Sequence, residues 1–214
     1  MPLVKKKEST KYTYALWRID ESLNDLITQL KPNKEERIAI ERFRNIKRRK
    51  QNISARLILN MLAKKKEIIS YSKNGTPKSK LFKYISISHS NNYCILIVSN
   101  VNIGVDIQYI NPNIEKISDK FLNNIEKNRI NKKNTIHEMH FMWCAKESIY
   151  KTLNNVPCSF KKNIEIEAIN NNMKTIGYYK NNNTSTTYNI EYKLLENYFI
   201  GIATKQLWLK YLII

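Results

Sequence analysis

The chain has 214 residues, 42% of them hydrophobic, which is enough for one large domain or two small ones with a proper core and excludes a disordered tail. Its 37 lysines and arginines against 18 acids give a net charge of +19, a field that draws polyanions: nucleic acid, an anionic membrane, a phosphate-rich cofactor or an acidic protein. Lys, Asn and Ile abound throughout, so part of this charge is compositional and simply solvated. Cys94, Cys144 and Cys158 are odd in number and widely spaced, with no CxxC pair, which excludes a disulfide framework and fits a reducing compartment. The opening MPLVKKKEST carries charge but no apolar run, unlike a signal peptide, and no stretch approaches a membrane span. A soluble, cytoplasmic protein is expected.

In chain order, YTYALWRI (12–19) has strand composition. ESLNDLITQL (21–30) shifts to helical spacing, with Leu23, Leu26, Ile27 and Leu30 on one face, and Pro32 closes it. Residues 33–65 read as one long charged helical stretch, ending in a buried helix from about 51 to 65. YSKNGTPKSKL (71–81) is expected to be a loop. Three short strands follow, Tyr84 to Ser88, Tyr93 to Ser99 and Ile103 to Gln108, with asparagine turns between them. Residues 111–153 turn helical, and Thr135 with Glu138 reads as a capping box starting a helix near Ile136 that runs through Leu153. Four more strands are expected in IEIEAI, MKTIGYYK, TTYNIEYKLL and YFIGIAT. The terminal LWLKYLII is too short to span a membrane and is expected to pack as a last strand or short helix. The order predicts an α+β chain in two comparable parts meeting near residue 105, although their sequence similarity is too weak to define a repeat.

Several stretches have residues suited to chemistry. In a strand over 103–108, Asp106 and Gln108 share a face and can hold one hard cation, and Gly104 on that face would admit a ligand closely. The plainer reading is that Asp106 caps the following turn. Ser88 and His89 end a strand before a turn; His89 is either a phosphate donor or an exposed turn residue. No GxSxG elbow supports a serine hydrolase. In HFMWCAKESIYK, Trp143, Glu147 and Lys151 recur every four residues and share a helix face. The plainer alternative, a surface Glu–Lys pair, leaves the Trp on that face unexplained. HEMH spaces His137 and His140 by three residues, not the four that a zinc-binding helix needs. In IKRRKQNISAR, Arg49 and Arg56 are seven apart on one face, where guanidinium groups can fork a terminal phosphate or simply be solvated.

The order of these pieces is more specific than any one of them. GTP (75–77), SISHS (86–90), IGVDIQ (103–108) and FMWCAKESIYK (141–151) together resemble the 4′-phosphopantetheinyl transferase superfamily, in its two-half, surfactin-synthetase-activating type, over roughly residues 12 to 205. The resemblance implies two similar α/β halves packed as a pseudo-dimer, residues 1–104 and 105–214, with the active site in the cleft between them. It implies a monomer, unlike the shorter, trimeric holo-acyl-carrier-protein synthase type. The implied reaction moves phosphopantetheine from coenzyme A to a serine of an apo acyl or peptidyl carrier protein, releasing 3′,5′-ADP with Mg²⁺ or Mn²⁺. By resemblance, Asp106, Gln108 and Glu147 hold the metal. Glu147 accepts the serine proton, and Lys151 binds phosphate and stabilises the leaving group. Ser88, His89, Asp106 and Lys151 meet the cofactor, Arg49 and Arg56 its 3′-phosphate, and Gly75 and Thr76 flank the adenine.

Two departures stand out. Gln108 occupies a position where the family often has Glu, so it offers an oxygen without a charge. Thr76 replaces a lysine, whose contact Lys73 or Lys78 would have to supply. Among alternatives, a nucleic-acid-binding protein follows from the charge but lacks any RRM, KH or zinc-finger signature. An inactive scaffold of the same fold would not need Asp106, Glu147 and Lys151 together.

Overall fold

The computed structural model describes residues 3–154, 156–170, 172–182 and 184–206; the terminal segment LWLKYLII lies outside them. The strands β1 (Leu3–Glu8) and β2 (Tyr12–Arg18) form a hairpin. Three helices follow, α1 (Leu23–Leu30), α2 (Lys34–Glu41) and α3 (Ile46–Ala63). The single helical stretch expected over 33–65 is thus two helices, because Asn45 turns its carboxamide back onto the N–H groups of Lys47 and Arg48 and starts α3 afresh. Within the expected loop, β3 (Ser70–Tyr71) and β4 (Pro77–Lys78) pair across a turn in which Gly75 has φ 76°. Then come β5 (Tyr84–Ser90), β6 (Tyr93–Ser99) and β7 (Ile103–Tyr109).

Short helical turns lead through α4 (Ser118–Phe121) and α5 (Asn124–Arg129) to α6 (Thr135–Thr152). The expected capping box at Thr135 does not form. Thr135 is already helical, and its hydroxyl donates to the Lys132 carbonyl. After α7 (Phe160–Asn163), the strands β8 (Ile164–Ile166), β9 (Lys174–Asn181), β10 (Thr184–Leu195) and β11 (Tyr198–Lys205) complete the described elements.

The strands make a four-stranded sheet in the order β1-β2-β6-β5 and a five-stranded sheet in the order β7-β11-β10-β9-β8. Both share a connectivity. A first strand (β2 or β7) leads through helices to a final antiparallel pair, and the last strand returns to lie beside the first. Strand alternation gives each sheet two apolar faces. One face of the four-stranded sheet packs on α1 and α3 through residues such as Leu26, Ile53, Ile58 and Leu96. One face of the five-stranded sheet packs on α6 through Ala145, Ile149, Ile190 and Ala203. The remaining faces meet in a third cluster, in which Tyr14, Leu16, Ile95 and Ile97 pack with Val105, Ile107, Ile200 and Ile202. Each such buried side chain contributes roughly 1.5–3 kcal/mol, so the sheets are held together by a core of their own.

The edges β5 and β7 run side by side without backbone pairing. The hydroxyls of Ser86, Ser88 and Ser90, every second residue of β5, accept hydrogen bonds from the N–H groups of Val105, Ile107 and Tyr109 at 3.1, 3.2 and 2.9 Å. An open sheet edge is thereby satisfied by side chains instead of a further strand.

Candidate active site

Glycine brings α6 down onto the start of β7. A Cβ on Gly104 would lie 1.9 Å from the Ser148 carbonyl oxygen, so the space expected for a ligand is filled by helix backbone. The approach sets Glu147 and Lys151 beside Asp106, whose side chain leaves β7 on the same face as Gly104. Lys151 Nζ lies 2.7 Å from Asp106 Oδ1 and 2.9 Å from the Val105 carbonyl. An ammonium has three donors, so one is left for a third partner. Ser88 Oγ donates to Asp106 Oδ1 at 2.7 Å, and Gln108 Nε2 donates to Oδ2 at 3.0 Å.

Glu147 is half-buried next to this carboxylate and makes no hydrogen bond or ion pair among the described residues. Its pKa is pushed from the ordinary 4.5 up to about 7, first by burial and then by the charge of Asp106, with Lys151 opposing. Two carboxylates and an amide form an all-oxygen donor set suited to a hard divalent cation. Asp106 and Glu147 supply the charge; Gln108 would turn its amide over to add an oxygen. No cluster of three or more His, Cys, Asp or Glu able to hold a metal occurs among the described residues, so substrate oxygens or water would complete the shell.

Lys151 also lines a pocket of about 250 Å³ between α3, the β3–β4 hairpin and β5. Phe43, Tyr71, Pro77 and Ile87 give it apolar walls, and Gln51 and Asn52 a polar edge. Arg48 and His89 sit at its mouth, with Arg48 Nη1 3.0 Å from His89 Nε2 and 3.3 Å from Nδ1. Burial, then the Arg48 charge, pushes the His89 pKa below 6.5, so the ring is neutral at pH 7. A pocket with apolar walls, lined also by Arg48, Lys151 and a neutral imidazole, suits an aromatic base carrying phosphate. A larger groove of about 490 Å³, beside β9 and β10, mixes Glu167 and Glu191 with Lys11 and Lys174 and has no convergent charge.

Residues 102–203 match the family model described as 4′-phosphopantetheinyl transferase superfamily. That matching stretch is just under half of the chain. It carries Asp106, Gln108, Glu147 and Lys151, while Arg48, Gly75, Ser88 and His89 precede it. No curated protein matches the chain.

The phosphopantetheinyl transferase motif residues do not all land where the sequence placed them. Asp106, Glu147, Lys151, Ser88 and Gln108 come together, and His89 and Gly75 line the adjoining pocket. Arg56 does not reach it. It is 2% exposed, with Nη1 3.4 Å from Glu36 Oε1 and Nε 3.0 Å from Asn52 Oδ1, so it has no free face for phosphate. Arg49 turns away to the Phe43 carbonyl at 2.6 Å. The guanidinium at the pocket is Arg48, which shares a helix face with Gln51, Asn52 and Ala55 at spacings of three, four and seven. That spacing was the available signal. Thr76 is half-buried and does not line the pocket, nor do Lys73 and Lys78.

Trp143 packs edge-on against Phe121, with ring centroids 5.1 Å apart, and tilts over Phe160 at 5.5 Å. It anchors the site's helix. Lys146, beside Glu147, is fully buried. Its ammonium is held by Glu126 Oε2 at 2.6 Å and by the carbonyls of Phe121, Ile164 and Phe160 at 2.7, 2.7 and 3.0 Å. His140 bonds the Asn111 backbone through Nε2 and stands apart from His137 in role.

Proposed function

We propose that the chain transfers 4′-phosphopantetheine from coenzyme A to a serine of an apo acyl or peptidyl carrier protein and releases 3′,5′-ADP. The observation that carries the reading is the convergence of Asp106, Glu147 and Lys151 inside the superfamily stretch, facing a pocket with cations at its mouth. The serine oxygen bonds to the phosphorus that bears the pantetheine arm, and the bond from that phosphorus to the leaving 3′,5′-ADP breaks. The serine proton passes to Glu147, directly or through water. Lys151, already anchored by Asp106 and Val105, turns its third donor to the pyrophosphate and the charge that grows on the leaving oxygen. Arg48 and His89 hold phosphate at the pocket mouth.

Asp106 and Glu147, with Gln108 as an uncharged third donor, would hold Mg²⁺ or Mn²⁺, which when bound neutralises pyrophosphate charge. The partner supplies the nucleophile, which is why the site needs no serine or cysteine triad of its own.

In this reading residues 1–104 and 105–214 are two halves of a cytoplasmic, monomeric pseudo-dimer. Support comes from the shared connectivity of the two sheets, and no helix among the described residues is long and apolar enough to cross a membrane. The test is incubation with apo carrier proteins, coenzyme A and Mg²⁺, with mass spectrometry of the carrier. A phosphopantetheine adduct is expected, and its absence across several carrier types would refute the proposal.

A further inference from the structure

Ser88 stands where the family resemblance places a phosphate contact, but its hydroxyl is engaged inside the fold. It is 6% exposed, donates to Asp106 Oδ1 at 2.7 Å and accepts the Ile107 N–H at 3.2 Å. A hydroxyl has a single donor, and here it serves the carboxylate. The other groups that bond Asp106, Lys151 on α6 and Gln108 on β7, belong with the five-stranded sheet. Ser88 is the contact that comes from the four-stranded sheet. Its neighbours in the seam differ in this respect, since Ser86 and Ser90 take backbone N–H groups of β7 and reach no carboxylate among the described residues.

We infer that Ser88 is a positioning residue for the cation site rather than a coenzyme A contact. Its hydroxyl aims the Asp106 carboxylate and ties that aim to the seam between the sheets. Without it Asp106 keeps Lys151 and Gln108 but loses the one bond that registers it against β5. A misaimed carboxylate weakens the cation before it weakens the nucleotide, because neither Ser88 nor Asp106 lines the pocket that would hold the base. The inference rests on the transferase reading for the identity of the cation and cofactor.

The test compares Ser88→Ala, Ser88→Thr and Ser86→Ala with the unaltered chain. Mn²⁺ binding is read by electron paramagnetic resonance with coenzyme A present, and coenzyme A binding by calorimetry in EDTA. Ser88→Ala is expected to weaken Mn²⁺ about tenfold, the order of one charge-assisted hydrogen bond, and to leave coenzyme A in EDTA within twofold. Ser88→Thr, which keeps the hydroxyl, recovers most of the loss, and Ser86→Ala leaves both affinities unchanged. Loss of coenzyme A affinity in EDTA equal to the Mn²⁺ loss would overturn the inference, as would the same Mn²⁺ loss in Ser86→Ala. An unaltered chain that binds neither ligand refutes the transferase reading instead. The contact itself is then decided by a double-mutant cycle of Ser88→Ala with Asp106→Ala on the urea midpoint. Non-additive shifts support it, and additive shifts overturn it whatever the chain binds.

Discussion

Replacing Glu147 by Gln should end catalysis and make the metal-free protein more stable, by an amount that depends on pH. The side chain is half-buried, and its pKa of about 7 against an ordinary 4.5 means that the folded state holds a proton the unfolded chain has released between those values. The stabilising contribution of protonation is therefore complete below pH 4.5 and lost as pH rises through 7. Over that gap, at roughly 1.4 kcal/mol per pH unit, the ionised carboxylate costs about 3 kcal/mol at pH 8.5. Glutamine has nearly the same shape and no charge to desolvate. In EDTA, urea unfolding of Glu147→Gln and the unaltered chain should give midpoints that nearly coincide at pH 4. At pH 8.5 the variant should be more resistant by about 1 M, taking a slope of about 3 kcal/mol per M for a chain of this size. Parallel stability curves across the whole range would refute the account of the site as a desolvated carboxylate pair. Transfer to a carrier protein should be abolished in the same variant.

Other expectations follow from the same geometry. Lys146→Met should cost about 3–5 kcal/mol in urea unfolding, as expected for a buried carboxylate stripped of its partner. Arg48→Ala should raise the Michaelis constant for coenzyme A about tenfold or more in steady-state kinetics, the worth of a charged hydrogen bond, whereas Arg49→Ala should leave it unchanged. Gln108→Glu adds a third carboxylate, so Mn²⁺ titration should show tighter binding, and thermal unfolding in EDTA lower stability. Raising salt should increase the Michaelis constant for an acidic carrier protein more than that for coenzyme A, because the basic surface steers the larger partner; equal effects would count against steering.

Much of this was legible in the chain. Short runs of strand-forming residues, three of them bounded by asparagine turns, gave β2, β5, β6 and β7 nearly to the residue, because these strands are buried along much of their length and so rich in apolar and β-branched side chains. The chemical residues on β7 and α6 were found because strand and helix periods fix which side chains share a face. β1 was missed, since lysines occupy successive positions of an edge strand that is mostly exposed. Arg49 and Arg56 were chosen for being seven apart, yet which face of α3 meets the pocket is set by packing on the sheet, and that face is Arg48's. The Thr135 pattern matched a capping box, but the preceding turn at Lys132 captured the hydroxyl first. Gly104 read as room for a ligand because a sequence cannot say whether a ligand or a helix will fill the space.

The buried ion pairs have a counterpart that sequence similarity did not reveal. Asn33 and Glu36 cap α2, and Glu36 reaches Arg56 on the long helix α3; Asn123 and Glu126 cap α5, and Glu126 reaches Lys146 on the long helix α6. Acid and cation are 20 residues apart in both sets. Each pair fixes the rotation and height of its helix against its sheet, so the residue immediately after the cation arrives at a set depth. After Arg56 that residue is Leu57, which is partly buried and packs against the core. After Lys146 it is Glu147, presented half-buried to Asp106. One mechanical solution thus occurs twice, and the position after the cation holds an apolar side chain against the core in one set and a half-buried acid in the other.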